Sequence, residues 1–243
     1  MKKRRRHYIY PDLDTLAAAF VCDLSRFLAE SAAEGRTVHL ALSGGNTPLA
    51  VFSQVARASG AEDWSHVHLY WGDERCVPPG DPGSNYGSAL EQMIGPLNLP
   101  AGRIHRIRGE DDPGKEAERY GRLLLDQLPV EEGYPVFDWV WLGMGDDGHT
   151  VSIFPGQEKL WHSPEPCVVS EHPGTGQRRI TITGGVINAA RRVAFLVAGQ
   201  SKSKAVNEIV MKEGRYLEYP AFHVAPASGF LEWYLDMEAT SWL

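Results

Sequence analysis

The reading of the fold turns on VFDWVWLGMGDDGHT, residues 136–150. VFDWVWL is apolar almost throughout and reads as a buried strand of a parallel sheet. The turn after it carries Gly143, Gly145 and Gly148 in the spacing G-x-G-x-x-G. That spacing marks a dinucleotide site only when a helix begins inside it and points its N-terminus at a pyrophosphate. Here HTVSIF runs into Pro155 and Gly156, which leaves little room for a crossover helix. Asp146 and Asp147 fill the variable positions, where adjacent carboxylates repel a pyrophosphate. Glu171 lies 23 residues past Gly148, but Pro164 and Pro166 make the stretch before it a poor strand. The sequence therefore predicts a strand-end loop that does not hold NAD. It presents Asp147 and His149 two residues apart, and a carboxylate beside an imidazole can fix its tautomer and raise its basicity. The plainer alternative is a glycine-rich turn with an exposed histidine.

Outward from this loop, strand-like and helix-like segments alternate, the pattern of an α/β fold with a mostly parallel sheet flanked by helices. HYIY reads as a first strand and residues 12–34 as a helix closed by Gly35. VHLAL (38–42) and VHLYW (67–71) are short buried strands, and Pro48 opens a second helix. Residues 115–128 read as a helix, ITI (180–182) and VAFLVAG (193–199) as strands, and about 201–211 as a helix. No long linker or repeat divides the 243 residues, so a single domain over 1–243 is expected. In such folds ligands bind outside the carboxyl ends of the strands.

Composition narrows the function. A formal charge of −7 disfavours nucleic acid as a partner. There is no run of about 18 apolar residues, so no membrane span is expected. The basic start MKKRRRH is not followed by the apolar stretch of a signal peptide and reads as a solvated end. Three dispersed cysteines, Cys22, Cys76 and Cys167, fit a reducing cytoplasm better than a disulfide framework or a zinc site.

Two further strand-end loops carry chemistry. SGGNTP (43–48) can offer the backbone N–H groups of Gly44 and Gly45, the side chain of Asn46 and a helix N-terminus to a phosphate. It is not a P-loop, since G-K-[ST] is absent. GDERCVPPGDPGSNY (72–86) places Arg75 where it can meet a substrate oxygen, or pair with Asp73 and Glu74. Arg178, Arg179, Lys202 and Lys204 supply cations near later strand ends.

Together these segments resemble the 6-phosphogluconolactonases of the pentose phosphate pathway. The matching stretches are SGGNTP, WGDERCVPPGDPGSNYG, FDWVWLGMGDDGHTVSIFPG, RRITITGGVINAARRVAFLVAGQSKSKAV and PAFHVAPASGFLEWYLD, in the family's order, from about residue 38 to 237. The resemblance implies a Rossmann-like α/β domain that hydrolyses 6-phospho-D-glucono-1,5-lactone to 6-phosphogluconate, with neither metal nor cofactor. By motif position, His149 would be the general base, Asp147 its partner, and Arg75 a substrate contact near the oxyanion. Gly44, Gly45 and Asn46 would seat the phosphate, and Arg179 and Lys202 would neutralise it, with Lys204 off the pattern. Asn46 stands where the family often has Ser. Ala225 stands where Gln is commoner, which would alter a pocket wall. A cytoplasmic monomer or weak oligomer acting on a small sugar-phosphate lactone is expected.

Two other readings compete. An amino-sugar-phosphate isomerase/deaminase has a similar loop, but with Asn before the third glycine and Ile after the histidine. A non-catalytic sugar-phosphate sensor would carry a DNA-binding segment, and only about 37 residues precede VHLAL. The G-x-S-x-G elbow of α/β-hydrolases is absent.

Overall fold

The computed structural model describes residues 4–227 and 229–243, so Met1–Lys3 of the basic start lie outside the described residues. In chain order the strands are β1 (Arg4–Tyr10), β2 (Val38–Leu42), β3 (Val67–Trp71), β4 (Asp73–Arg75), β5 (Ile104–His105) and β6 (Val130–Glu131). They continue with β7 (Tyr134–Pro135), β8 (Trp139–Leu142), β9 (Cys167–Glu171), β10 (Arg178–Ile182), β11 (Arg192–Val197) and β12 (Phe230–Asp236). The helices are α1 (Leu13–Ala33), α2 (Asn46–Ala58), α3 (Asn85–Ala89), α4 (Pro113–Gln127), α5 (Glu158–Trp161), α6 (Gly184–Ala189) and α7 (Ser203–Met211).

Seven strands form one sheet in the order β1-β12-β11-β8-β2-β3-β5, and every neighbouring pair is parallel. Parallel strands covered by helices on both faces must be apolar on both sides. Trp139, Val140, Trp141 and Leu142 are accordingly all buried, as are Val193–Val197. From β2 the chain moves outward to β3 and β5, and then returns to the other side of β2 for β8 and β11. The order thus reverses between β2 and β8, and the loops leaving these two strands diverge to open a crevice. Ser43 Oγ ties the crevice floor together by donating to the Trp141 carbonyl at 2.7 Å.

α1 starts where Asp12 accepts the Thr15 N–H at 2.8 Å, and Gly35 follows it at φ +65°. Its stripe of Leu16, Phe20, Leu24 and Leu28 recurs every four residues and faces the sheet. Phe20 meets Trp141 and Tyr234 edge-on, each at 5.0 Å between ring centroids.

A second sheet departs from the expected pattern. β4, β10 and β9 form a three-stranded antiparallel sheet at the carboxyl end of β3. The ITI segment therefore belongs to this small sheet and not to the parallel one. The stretch after Pro164 and Pro166 is also a strand, β9. Both prolines precede its first residue, so neither removes a ladder hydrogen bond. α2 begins at Asn46, two residues before Pro48.

Candidate active site

After β8 the chain forms a turn closed on itself. Gly145 N–H donates to the His149 carbonyl at 2.9 Å, and Gly148 N–H donates to the Gly145 carbonyl at 3.0 Å. No helix begins within the motif, and the next one, α5, has only four residues. The turn therefore lacks the helix N-terminus that a dinucleotide fingerprint places within the motif; the geometry shows what the glycines do. A Cβ on Gly145 would fall 2.1 Å from His149 Nδ1 and 2.5 Å from Asp147 Oδ1. Gly148 adopts φ +77°, and a Cβ there would lie 2.5 Å from the Tyr219 ring. These two glycines let the loop curl tightly enough to bring Asp147 against His149.

That contact is short. Asp147 Oδ1 lies 2.6 Å from His149 Nδ1 and also accepts the His149 backbone N–H at 3.1 Å. Burial raises the Asp147 pKa, but its bonds to His149 outweigh this and hold it below the ordinary value. A carboxylate only accepts, so Nδ1 carries a proton, and the neutral tautomer this contact selects has its lone pair on Nε2. The ring is fixed from its other side by Phe154, 4.6 Å away between centroids. Thr150, the residue after the histidine, donates to the Gly143 carbonyl at 2.9 Å and pins the turn to the strand end.

The cavity beside this pair has a volume of about 570 Å³. His149 lines it, as do Gly44, Gly45, Asn46, Arg75, Arg179 and Lys202, so one crevice gathers these predicted residues from four strand ends. Asp147 lies behind His149, outside the lining. Lys204 is exposed and does not line the cavity, and neither does Ala225. Ala225 donates its N–H to Asn188 Oδ1 at 2.7 Å.

The SGGNTP loop leads from β2 into α2. Gly45, at φ +106°, precedes α2, and no side chain caps the first N–H groups of that helix. Those donors and the positive end of the helix dipole suit an anion. Gly44 is packed so closely that a Cβ would lie 1.8 Å from Asn85 Oδ1.

Arg75 does not pair with its neighbouring carboxylates among the described residues. Its Nη1 donates to the Gly83 carbonyl at 2.5 Å. Glu74 instead accepts N–H groups from Arg75, Asn85 and Tyr86 at 2.7–2.8 Å and so organises the loop that holds the arginine. Burial pushes the Glu74 pKa up, against the pull of those bonds.

Arg179 stands directly opposite Arg75 in the β4–β10 pair. Side chains opposite one another on an antiparallel pair share a face, and like charges there are destabilising. Each has a buried Nε with no hydrogen-bond partner among the described residues. Burial pulls the Arg179 pKa down, and Arg75 adds to that while Asp73 opposes it. Two desolvated guanidiniums with unused donors call for an anion between or before them. Lys202 is differently placed: its Nζ pairs with Asp146, which also accepts from Ser201 Oγ at 3.0 Å. Asp146 therefore links the β8 and β11 loops, and its charge is neutralised there.

Three residues escaped the sequence reading. Asp73 lines the cavity and is buried, Ser152 is fully buried against it, and Asn85 bridges Gly44 and Asp73. Asp73 and Asn85 lie in the quoted DER and SNY stretches, but only the pairing of β4 with β10 shows that they face the cavity. Ser152 lies in the quoted GMGDDGHTVSIFPG stretch, but only the fold brings it against Asp73.

Comparison with known proteins places the chain in a family. Residues 11–233 match the family described as glucosamine-6-phosphate isomerases/6-phosphogluconolactonase. A 6-phosphogluconolactonase of Haemophilus influenzae is 42% identical over 204 residues, covering 83% of this chain and 86% of that protein. One of Aggregatibacter actinomycetemcomitans is 41% identical over 207 residues, covering 84% and 87%. The solved 6-phosphogluconolactonase of Trypanosoma brucei superposes with a TM-score of 0.88 at 26% identity over all of both chains. The chain belongs to the glucosamine-6-phosphate isomerase/6-phosphogluconolactonase family.

Proposed function

We propose that residues 1–243 act as one domain that hydrolyses 6-phospho-D-glucono-1,5-lactone to 6-phospho-D-gluconate, with His149 as general base. The observation that carries this reading is the 2.6 Å contact of Asp147 with His149 at the wall of a cavity holding two surplus guanidiniums. His149 Nε2 takes a proton from water as the water oxygen attacks C1 of the lactone. Arg75 stabilises the oxyanion of the tetrahedral adduct. Nε2–H then returns the proton to the ring oxygen as the C1–O5 bond breaks. Asp147 holds the tautomer and offsets the positive charge on the imidazolium.

Such a base supplies about 10²–10⁴-fold, and oxyanion stabilisation a comparable factor. A lactone is an activated ester, so no covalent nucleophile, metal or cofactor is required. The phosphate binds at Gly44, Gly45, Asn46 and the α2 N-terminus, with Arg179 and Lys202 neutralising it. Remote binding energy of this kind orients the ring for attack.

All these residues come from one chain. Among the described residues no helix is long and apolar enough to cross a membrane. Dispersed free cysteines favour the cytoplasm as the compartment.

The test compares 6-phosphogluconolactone with unphosphorylated gluconolactone by following lactone loss by NMR. The expected result is rapid turnover of the phosphorylated lactone and at least about tenfold lower kcat/KM for the other, in line with one lost charge-assisted contact or more. Equal rates would remove the phosphate site. Turnover of glucosamine 6-phosphate in place of the lactone would favour the isomerase/deaminase reading.

A further inference from the structure

The catalytic turn is gripped from outside by a segment that the mechanism above does not use. Gly148 and His149 share one peptide unit, which is planar and turns as a whole. Its N–H end, on His149, donates to Asp147 Oδ1 at 3.1 Å. Its carbonyl end, on Gly148, accepts from the Ala221 N–H at 3.1 Å. Tyr219 lies with its ring against Gly148, where a Cβ would fall 2.5 Å from the ring carbons Cγ and Cδ1. The peptide plane that joins Asp147 to His149 is thus fixed at both ends and along one side.

Tyr219 is itself held. It sits between two short 3-10 turns, Tyr216–Glu218 and Pro220–His223, and is 6% exposed. Its hydroxyl donates to Glu208 Oε2 at 2.7 Å, and the same oxygen accepts the Arg215 N–H at 3.0 Å. Burial, helped by the bond to Glu208, raises the Tyr219 pKa to about 12, so the hydroxyl keeps its proton and remains a donor at neutral pH. Gly214, at φ +57°, brings the backbone so close that a Cβ there would lie 2.7 Å from the Glu208 carboxyl carbon. Glu208 lies on α7, which begins at Ser203 directly after Lys202. One short helix therefore follows a phosphate contact at its start and anchors the support of the base further along.

This argument rests on the lactonase reading, in which His149 is the base. Bulk alone would fill the space beside Gly148. The bond to Glu208 adds a fixed ring orientation, and the Ala221 N–H adds a fixed peptide plane. We infer that Tyr219 is a positioning residue: its ring and the Ala221 N–H hold the Gly148–His149 peptide so that Asp147 keeps Nδ1 protonated and Nε2 faces the attacking water. Tyr219 does not line the cavity, so its effect falls on the chemical step and not on substrate binding. A misplacement of about 1 Å at a catalytic group costs on the order of 100-fold in rate.

The experiment measures kcat and KM for 6-phosphogluconolactone in wild type, Tyr219→Phe and Tyr219→Ala, each shown to melt cooperatively. Tyr219→Ala is expected to lower kcat by about 10–100-fold, with KM changed by less than about threefold. Tyr219→Phe keeps the ring and loses one hydrogen bond, so its kcat should fall by about tenfold or less. The second readout is the NMR shifts of the His149 ring nitrogens at a pH where the imidazole is neutral, assigned by their loss in His149→Ala. Wild type and Tyr219→Phe should show one tautomer, protonated on Nδ1, and Tyr219→Ala a mixture. A lower melting temperature with unchanged kcat and an unchanged tautomer would mean that the ring only stabilises the fold, which overturns the inference. Where Tyr219→Ala does not melt cooperatively, Glu208→Ala decides in its place: a fall in kcat at constant KM supports the inference, and an unchanged kcat overturns it. Failure of wild type to accelerate the lactone would instead defeat the lactonase reading, and the tautomer shifts would still judge the positioning.

Discussion

The two ends of the parallel sheet carry similar residue types and use them in opposite ways. At the amino end, a groove of about 1060 Å³ lies between α1 and the strand starts, nearly twice the volume of the catalytic cavity. Of the arginines that line it, Arg192 is the most enclosed, and it is fully engaged. Arg192 donates to Glu232 at 2.5 Å and Asp23 at 2.9 Å, Tyr234 donates to Asp23 at 2.5 Å, and the guanidinium stacks 3.5 Å over Trp139. At the carboxyl end, Arg75 and Arg179 face each other across a strand pair and keep buried donors unmatched. The larger hollow is thus closed on its own charges, and the smaller one is left short of an anion. Cavity size alone does not single out the candidate site; unmatched buried charge does.

The strongest way to break this contrast is to remove the base. His149→Ala is expected to lower kcat by about 10²–10⁴-fold, the contribution of a positioned general base. Cooperative melting should persist, because the side chain is on a strand-end loop and packs mainly on Phe154. Gly145→Ala comes next. Its methyl would occupy the space of the Asp147–His149 contact, so a loss of the order of 100-fold is expected with the fold retained, given how steeply catalysis depends on about 1 Å of misplacement. Activity close to wild type would mean that the tight turn is not what positions the pair.

The opposite signature is expected at the amino end. Arg192→Ala should lower stability by roughly 2–4 kcal/mol in urea unfolding, somewhat less than loss of a fully buried ion-pair partner. Its kcat/KM for the folded enzyme should be unchanged. A loss of activity without loss of stability would erase the division between the two ends.

Phosphate contacts should give intermediate effects. Arg179→Ala is expected to raise KM about 10–100-fold with a smaller change in kcat. Lys202→Ala should raise it less, because Lys202 is already paired with Asp146. Equal effects would show that this pair opens on binding.

The smallest expected effect concerns pH. His39, His68 and His105 stand on adjacent strands β2, β3 and β5, with His68 Nδ1 2.9 Å from His105 Nε2. Burial, together with His68 and His39, lowers the His105 pKa from 6.5 to about 4. Between those values the unfolded chain binds the proton more readily than the folded one. Stability is therefore full above pH 6.5 and lost as pH falls toward about 4. Melting temperatures from pH 7 to 4.5 should show this fall, and His105→Gln should flatten it. An unchanged slope would assign the acid sensitivity elsewhere.

Much of this was legible in the chain. Buried strands announced themselves as VHLAL, VHLYW and VFDWVWL because parallel strands are apolar on both faces. Pro155-Gly156 left little room for a crossover helix, and the glycine loop could therefore be read as a candidate catalytic loop. The β4–β10–β9 sheet was not legible. β4 lies about 100 residues before β9 and β10, and the three residues of DER carry no periodicity that betrays a strand. The facing of Arg75 and Arg179, and the burial of Asp73 and Ser152, follow from that pairing and could not precede it.

The central claim is that His149 drives lactone hydrolysis. Proton release from freshly prepared 6-phosphogluconolactone, followed by pH-stat near neutrality, tests it most directly. Three samples are compared: wild type, His149→Ala and buffer, with both proteins shown to melt cooperatively. The account predicts acceleration by wild type and a rate close to buffer for the variant. Acceleration that survives in His149→Ala, or none with wild type, would contradict it.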